Sequence, residues 1–582
     1  MSLDLDSMSI HSDAESNEPL LGEIDETSCS KEPLLTVKTA NHAKIRTITL
    51  LSPYPTALKT PRTPNTPFTE LSTFPEQPSS NRTLSWGSAY ILIISRVIGS
   101  GIFAIPGVIA QSAGSIGVSL LLWLVGAIVA ACGLAVSLEL GCMLPRSGGE
   151  KVYLEFIYDR PKFLASTIIA VQAALLGFTA SNCIVFGKYV LHAFDIPVTD
   201  LSQRLCAASL IVVVTLIHAR FLRGGIIIQN ALGWIKIVVV TFMVFAGISV
   251  VALKPAKVLQ ELHHHKQPFS WDHIWKCSEW NFGTLATSFF KVSYAYSGYD
   301  NINNVLDEVK QPIRTLKTAA PVAMITIFFF YVLLNITYFI VLPLDDIKSS
   351  GELIGALFFE RVLGEVVGNR ALPVLIALSA AGNVMVTTFA QARINQEIAR
   401  QGFFPWARLL SSSKPFNTPL GGLLVHLLPS LLVILLPPQG RAYSFVLEVK
   451  GYPAQLTAFA ICAGLLWLRR RRPDLKRPFR AWTPAVYVPM TLSFALMLAP
   501  FFPPAAGKRE FAFWYGTYAV VGIGTAVLAV LWWWVWIRVL PHYGGYHFEE
   551  ESDELDDGTK VTRLVKVGNK GYQKIAADCR GV

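Results

Sequence analysis

The sequence has few charged residues, few cysteines and no nucleotide-binding motif. Charged residues make up 15% of its 582 positions, against roughly 25% in ordinary soluble domains. The 8 cysteines are scattered without paired spacing, which argues against a disulfide framework or a zinc cluster. About eighty polar residues precede the first apolar run, so no short cleavable signal is predicted. The tails and connections contain no phosphate-binding glycine-rich loop, which argues against a nucleotide-driven pump.

Long apolar runs are abundant. The sequence is 52% hydrophobic with a mean hydropathy of +0.44, and windows of about 19 residues resolve runs long enough to cross a bilayer core of about 30 Å. This pattern predicts an all-α polytopic membrane protein with about twelve spans, at residues 85–110, 117–141, 163–194, 203–219, 226–252, 282–306, 317–342, 371–397, 419–437, 443–468, 483–503 and 512–538.

The distribution of positive residues indicates how the spans are oriented in the membrane, rather than binding of nucleic acid. The net charge is +10, but Lys and Arg fall mainly in short connections between apolar runs. Connections after even-numbered spans hold about twenty positive residues, against about eleven on the other side. We therefore expect both termini in the cytoplasm, in a protein of the plasma membrane, with the vacuole as the alternative compartment.

Three regions follow from composition. Residues 1–84 are rich in Ser, Thr, Pro and acids and are predicted to be a disordered cytoplasmic tail. Its Thr60, Thr63 and Thr66 each precede proline and are candidate phosphorylation sites, with a plain flexible tail as the alternative. Residues 85–540 form the predicted transmembrane domain, and residues 541–582 a cytoplasmic tail without a core.

Span 1 is interrupted in its middle by Gly99, Gly101 and Pro106. In lipid, every backbone N–H and C=O needs a partner, so such a break persists only where it is buried in protein or lines a wet cavity. Span 6 has a second interruption at residues 294–304, where the sequence is too polar for lipid. Paired breaks in corresponding positions of two halves indicate a transporter built from inverted repeats. Spans 1–5 and 6–10 are the predicted halves, with spans 11 and 12 appended; close helix packing by small residues is the alternative.

Two facing broken helices favour one kind of ligand. The free N–H groups that begin the second half of span 1 suit a carboxylate, and unpaired carbonyls that end the first halves suit an ammonium group. An α-amino acid zwitterion fits both ends. The N–H donors are predicted at residues 100–102 and the carbonyls at Val97, Ile98, Tyr294 and Ser297. The full predicted binding set is Val97, Ile98, Gly99, Ser100, Gly101, Ile102, Tyr294, Ser297, Gly298 and Asp300.

Lys236 is predicted to lie deep in span 5, roughly 16 Å from its end by the 1.5 Å helical rise. A lysine at that depth is costly and is a functional candidate with a partner in the bundle. We expect its ammonium to contact the unwound carbonyls of span 1 and polar groups of span 8 such as Ser379 or Asn383. It is then either a proton carrier or a permanently charged strut.

Other charged or potentially metal-binding residues have separate interpretations. Arg96 and Asp300 approach each other if spans 1 and 6 face one another. Glu448 and Lys450 are interpreted as lying at the outer interface. The run His263–His265 is interpreted as an exposed polar loop, because three adjacent histidines do not easily face one metal ion. No metal or cofactor is predicted.

Three stretches carry a resemblance to a known family: ISRVIGSGIFAIPGVIAQSAGSIG at 94–117, LELGCMLPRSGGEKVYLEFIY at 138–158 and RRRRPDLKRPFRAW at 469–482. They resemble the amino acid/polyamine/organocation superfamily and, within it, the L-type amino acid transporters. The long tail with Thr-Pro pairs is similar to that of fungal methionine permeases in this group. The resemblance covers about residues 85–540.

The resemblance implies site roles that match the residue-level interpretation. It implies carboxylate binding at Ser100 and Gly101, and amino-group binding at the carbonyls of Val97, Tyr294 and Ser297. Tyr294 stands where the family has an aromatic gate, usually Phe, and Lys236 matches the family's lysine in span 5. Arg96 and Asp300 depart from the family's small residue and Asn. Members that pair with a heavy-chain glycoprotein use a cysteine between spans 3 and 4; residues 195–203 contain none, so we expect no such partner, although Cys206 is near.

The leading functional hypothesis is secondary active uptake of a neutral L-amino acid, methionine being one candidate, by proton symport and alternating access. Obligatory exchange is the alternative within transport, and a nutrient receptor with little transport is the alternative from another class. An enzyme is not predicted, because the spans hold no metal-ligand cluster or nucleophile with a nearby base.

Overall fold

The computed structural model describes residues 84–99, 101–253, 270–364, 370–414, 416, 418–436, 442–502, 516–554 and 560–568. Within these ranges ten helices are long and apolar enough to cross a membrane. The broken span 6 and the shorter apolar span 9 correspond to the two other predicted spans. The prediction of an all-α polytopic membrane protein is confirmed. The amino-terminal tail to residue 83, Ser100, the histidine run and the side chain of Glu448 lie outside the described residues.

The observed spans follow the predicted ones within a few residues, and spans 1, 3 and 6 each consist of two pieces. Their bounds are Trp86–Val97 (1a) and Gly101–Ala113 (1b), Ile116–Met143 (2), Leu164–Leu176 (3a) and Ala180–Ala193 (3b), Asp200–Arg220 (4), Leu222–Leu253 (5), Phe282–Tyr296 (6a) and the 3₁₀ helix Asn301–Glu308 (6b), Pro312–Val341 (7), Ala371–Arg400 (8), Leu420–Leu435 (9), Ala442–Arg471 (10), Thr483–Leu498 (11) and Thr517–Trp534 (12).

Local sequence explains where several spans begin. Ser115 accepts a hydrogen bond from the Val118 N–H at the start of span 2, and Asn281 accepts one from the Thr284 N–H at the start of span 6a. Thr199 begins span 4 with a reciprocal capping box. Such caps satisfy N–H groups that the first turn leaves without a helical partner.

The spans contact each other in pairs that are five apart. Span 1b contacts span 6a, span 2 contacts span 7, span 3 contacts span 8, and span 4 contacts span 9. Span 5 packs on span 1a, and span 10 packs on span 6a. Corresponding members of spans 1–5 and 6–10 therefore occupy related places, as a five-plus-five repeat requires. This arrangement brings the breaks of spans 1 and 6 together.

The arginine-rich stretch after span 10 is tied to a buried carboxylate in span 2. Glu139 is fully buried, and its Oε1 lies 3.0 Å from Nε of Arg469 and 3.4 Å from Nε of Arg477. Its Oε2 also accepts a hydrogen bond of 2.8 Å from the Ala481 N–H. A buried charge is tolerated only with such partners, so this motif joins span 2 to the connection between spans 10 and 11.

Shorter elements lie between and after the spans. They include Glu150–Ile157, Trp271–Ile274, Leu344–Ser350, Gly351–Leu353, Ile354–Leu363, Ala407–Leu410, Ala499–Phe501, Val535–Val539 and Leu540–Gly544. The tail after residue 541, predicted to lack a core, forms an antiparallel hairpin of β1 (Tyr546–Glu554) and β2 (Lys560–Gly568). Phe548 of β1 packs on Trp536, with ring centroids 5.0 Å apart. Apolar packing against the bundle thus supports this hairpin.

Candidate functional site

The break in span 1 lies between Val97 and Gly101. Ile98 has a non-helical ψ of 89°, and the Gly99 N–H donates to the Val97 carbonyl at 2.9 Å. A Cβ on Gly99 would lie 2.7 Å from Nδ2 of Asn383 and 2.9 Å from Oδ1 of Asn182. Two amide side chains therefore occupy the space beside the unwound backbone, and only glycine fits between them.

The break in span 6 follows Tyr296. Ser297 is extended, and its N–H and hydroxyl donate to the Tyr294 carbonyl at 3.1 and 2.7 Å. Gly298 has a φ of +99°, a conformation that favours glycine. A Cβ on Gly298 would lie 2.4 Å from Cγ of Arg96, and one on Gly101 would lie 3.1 Å from Cα of Ala295. The two breaks are therefore in direct contact.

Arg96 and Asp300 lie close enough for an electrostatic interaction. Within the described ranges they do not form a salt bridge. The Arg96 side chain instead lies across the Gly298 backbone. The two charged residues are therefore neighbours beside the breaks, as predicted from sequence, without a direct salt bridge.

Three carbonyls that were predicted to be unpaired have partners, so that part of the prediction is wrong. The Val97 carbonyl accepts a hydrogen bond of 2.9 Å from the hydroxyl of Tyr331. Lys236 donates to the Ile98 carbonyl, and Ser297 donates to the Tyr294 carbonyl. A carbonyl oxygen has two lone pairs. The Val97 carbonyl already accepts from the Gly99 N–H and the Tyr331 hydroxyl. The Tyr294 carbonyl accepts from the N–H and the hydroxyl of Ser297, whereas the Ile98 carbonyl has Lys236 as its donor.

Lys236 lies at the carbonyl end of span 1a. Its Nζ donates to the carbonyls of Ser95 at 2.6 Å and Ile98 at 2.8 Å, and its side chain is fully buried. A Cβ on Gly382 of span 8 would lie 3.0 Å from Cε of Lys236. The missing side chain at Gly382 therefore makes room for the lysine, and the ammonium takes the place of helical donors that span 1a lacks.

Span 8 contributes the two polar residues expected beside Lys236. Asn383 donates to the carbonyl of Ser95 at 3.3 Å and to that of Arg96. Ser379 lies one helical turn earlier, fully buried, and its hydroxyl has no partner among the described residues. Asn383 thus secures the same unwound backbone that Lys236 binds.

A side-chain network links spans 3, 6 and 8 across the site. Asn182 donates to Oδ1 of Asn383 at 3.0 Å and to the Tyr294 hydroxyl at 3.2 Å. Ser181 also binds the Tyr294 hydroxyl. Sequence reasoning missed Ser181 and Asn182, although two adjacent polar residues inside an apolar span were a usable signal. This network sets the orientation of the predicted aromatic gate.

Comparison with known proteins identifies the family. A family model described as "Amino acid permease" matches residues 84–528. The chain belongs to the amino acid permease family. It is 35% identical to the high-affinity methionine permease of Saccharomyces cerevisiae over 487 residues, which cover 82% of this chain and 83% of that protein. It is 33% identical to the low-affinity methionine permease of the same yeast over 507 residues, or 85% and 90% of the two chains.

More distant relatives include L-type transporters. The chain is 28% identical to the human cystine/glutamate transporter over 412 residues, which cover 70% of this chain and 77% of that protein. The resemblance inferred from the three sequence stretches is thereby confirmed. Amino acid transport, rather than catalysis, is the function of this permease.

The permease also has a third break, in span 3, which was predicted as one continuous helix. Span 3a ends at Leu176 and span 3b begins at Ala180. Nδ1 of His426 donates to the Gly177 carbonyl at 2.5 Å, and the Thr179 N–H donates to Oγ of Ser430 at 3.2 Å. Two polar side chains one turn apart on span 9 therefore satisfy the unwound backbone of span 3.

Lys450 is the third side chain that binds the unwound backbone of span 3. Its Nζ donates to the Phe178 carbonyl and lies 4.5 Å from the centroid of the Phe178 ring. The interpretation of Lys450 as an interfacial residue is therefore wrong. The exposed carbonyl in the middle of span 3 provides an acceptor within the bundle, and that acceptor draws the ammonium inward.

The connection between spans 2 and 3 closes over span 6b. The Gly149 N–H donates to the Asn303 carbonyl at 3.2 Å, and Ser147 and Asp307 exchange two hydrogen bonds of 3.0 and 3.1 Å. Glu150 keeps accessible surface, but protein lies around its carboxyl group on most sides. This desolvation, together with the neighbouring Asp300 carboxylate, raises the pKa of Glu150 to about 8. The connection thus places a carboxyl group with a raised pKa near Asp300 of the span 6 break.

Proposed function

We propose that this permease takes up a neutral L-amino acid, methionine foremost, together with protons, by alternating access around the breaks of spans 1 and 6. The observation that carries the proposal is the pair of hydrogen bonds from Lys236 to the carbonyls of Ser95 and Ile98. A protonatable group here is bonded directly to the backbone that is expected to bind substrate.

The cost of burying the Lys236 ammonium and the gain from its hydrogen bonds are of similar size, as a reversible proton carrier requires. A lysine at the centre of a spanning helix costs about 2.5–3.5 kcal/mol on insertion scales. Hydrogen bonds to a charged group contribute about 1.5–3 kcal/mol each, so two such bonds are enough to hold the ammonium. Loss of the proton removes the charge from both bonds and loosens the break. Protonation of Lys236 is therefore coupled to the conformation of span 1.

Substrate binding uses the two breaks together. Span 1b begins at Gly101, and we expect backbone N–H groups at residues 100–102 to bind the carboxylate. The carbonyls of Val97, Tyr294 and Ser297 accept from the amino group, and Tyr294 covers the ligand as a gate. Methionine is chosen because the two yeast relatives named above are methionine permeases.

The sides of the membrane on which the termini lie, and the need for a partner protein, are part of the same proposal. The excess of Lys and Arg in the connections after even-numbered spans supports termini in the cytoplasm, and we propose the plasma membrane as the compartment. No heavy-chain glycoprotein is needed, because residues 195–203 contain no cysteine. The nearby Cys206 lies half-buried within span 4, rather than in the connection that such a partner would reach.

The test is uptake by the purified protein in liposomes. Radiolabelled methionine should accumulate when the outside is acidic, and a protonophore should abolish the accumulation. Competition by each of the twenty amino acids at two pH values then defines the side chains that are accepted. Accumulation that persists with the protonophore contradicts proton coupling, and transport only against internal amino acid establishes exchange. Deleting residues 1–84 separates a transporter from a receptor, because a receptor would signal through this tail. A transporter should keep its uptake after the deletion.

A further inference from the structure

Span 5 presents a row of small and polar residues on the face that carries Lys236. Gly225, Gln229, Gly233 and Lys236 are spaced by four, four and three residues, which places them on one side of the helix. Over these eleven residues the row is about 16 Å long at 1.5 Å per residue. It runs from the span 1 break to the membrane end where spans 4 and 5 join.

At each glycine in the row, a polar side chain from another span lies near the place that a Cβ would take. A Cβ on Gly225 would lie 2.8 Å from Nδ1 of His218 in span 4. A Cβ on Gly233 would lie 2.4 Å from Cγ2 of Ile91 and 3.7 Å from Oγ of Ser95, both in span 1a. The order along the row is therefore Lys236, Ser95, Gln229 and His218.

The polar atoms of this row are buried and lack partners among the described residues. Ser95, Gln229 and His218 are at most 1% exposed. Oγ of Ser95, Oε1 of Gln229 and both ring nitrogens of His218 have no hydrogen bond of acceptable geometry, although the Met385 backbone lies near the His218 ring. Buried polar atoms are nearly always paired with protein or with ordered water. Several such atoms along one helix face indicate a file of water molecules that bridges them.

The charged neighbours of the row are cations. Arg96 of span 1 faces Lys236, and Arg393 of span 8 faces His218. Arg393 is itself paired with Glu308 at 3.2 Å. Among the described residues no carboxylate faces Lys236 or His218 directly. The row therefore has no fixed negative charge that would retain a proton along it.

We propose that Lys236, Ser95, Gln229 and His218 form the route by which the proton of Lys236 reaches the cytoplasm. The proposal rests on the proton coupling proposed above. An Nζ–H bond of Lys236 breaks, and its proton passes to bridging water held by Ser95 and Gln229. His218 takes a proton at one ring nitrogen and releases one from the other, so Lys236 is left as a neutral amine and His218 as its other neutral tautomer, which a flip of the ring resets before the next transfer. The substrate does not enter this route.

The experiment compares two transport modes of the full-length protein in liposomes. One is uptake of radiolabelled methionine driven by a pH gradient, which requires net proton release inside. The other is counterflow into liposomes preloaded with unlabelled methionine at equal pH, which can proceed with Lys236 protonated throughout. Gln229→Leu and His218→Phe should each slow gradient-driven uptake about tenfold or more, a barrier change of about 1.4 kcal/mol. Counterflow should remain within about twofold.

Matched variants give the controls. Thr215→Val lies one turn before His218, and its buried hydroxyl already donates to the Ile211 carbonyl at 2.7 Å, so both modes should be unchanged. Gln229→His restores a polar side chain and should recover most gradient-driven uptake relative to Gln229→Leu. Variants that keep gradient-driven uptake, or that lose both modes equally at equal protein content, overturn the route. A wild-type protein that performs counterflow but shows no gradient-driven uptake overturns the proton-coupled function itself.

Discussion

Spans 1 and 3 are both unwound near the middle of the bundle, but they satisfy their backbones differently. At the span 1 break, Lys236 and Asn383 bind the carbonyls, and Gly101 lies against the break of span 6. At the span 3 break, His426 and Lys450 bind the carbonyls from spans 9 and 10. The break of span 1 therefore contacts a second broken span, whereas the break of span 3 is bound by side chains of spans 9 and 10. The comparison predicts that substrate binds where two breaks meet, and that the isolated break of span 3 is chiefly structural.

The largest effect is expected at Lys236. Lys236→Ala removes two charge-assisted hydrogen bonds of about 1.5–3 kcal/mol each, so uptake of methionine should fall at least about 100-fold. Initial rates in liposomes, normalised to reconstituted protein, provide the measurement. Uptake at the wild-type rate would show that Lys236 takes no part in coupling. The hydrogen bonds at the span 1 break would then matter no more for transport than those at the span 3 break.

A smaller effect is expected from crowding the span 1 break. Gly99→Ala places a methyl group 2.7 Å from Asn383 and 2.9 Å from Asn182. Displacing these amides should reduce uptake about tenfold, equivalent to about 1.4 kcal/mol. Gly87→Ala on the same span is the control, because a Cβ there meets nothing within 4 Å. Equal uptake by the two variants would show that the close packing at Gly99 is not needed for transport.

Lys450 tests whether the span 3 break is chiefly structural. Lys450→Met leaves the Phe178 carbonyl without its side-chain donor, at a cost of about 1–3 kcal/mol. The thermal unfolding midpoint in detergent should fall, while uptake per folded molecule should change only about threefold. If uptake falls as far as in Lys236→Ala with the midpoint unchanged, the contrast between the two breaks is wrong.

The smallest effect is expected from Glu150, and it concerns pH. The pKa of Glu150 is raised from 4.5 to about 8, so the folded protein binds this proton more tightly than the unfolded chain does. Its contribution is therefore present below pH 4.5 and is lost as the pH rises toward 8. Glu150→Gln should make the thermal midpoint less dependent on pH in this window. An unchanged slope between pH 5 and 9 would contradict a protonated Glu150.

Much of the site could be predicted from local sequence. The breaks of spans 1 and 6 were visible because Gly99, Gly101, Ser297 and Gly298 interrupt apolar runs. Lys236 was visible because its depth in an apolar run is a property of one segment. The break in span 3 was not predicted, since one glycine at residue 177 is unremarkable in a spanning helix. Its partners His426 and Lys450 lie 249 and 272 residues away in sequence from the backbone atoms they bind.

The sequence by itself determined the number and order of the spans, the two glycine-bearing breaks and the depth of Lys236. Each of these depends on hydropathy and residue type within a single segment. Only the tertiary structure decided which carbonyl each buried donor binds, that Lys450 turns into the bundle, and that the strands Tyr546–Glu554 and Lys560–Gly568 pair. Those outcomes depend on contacts between spans that are far apart in sequence, because a buried polar group takes whichever partner the packing brings within reach.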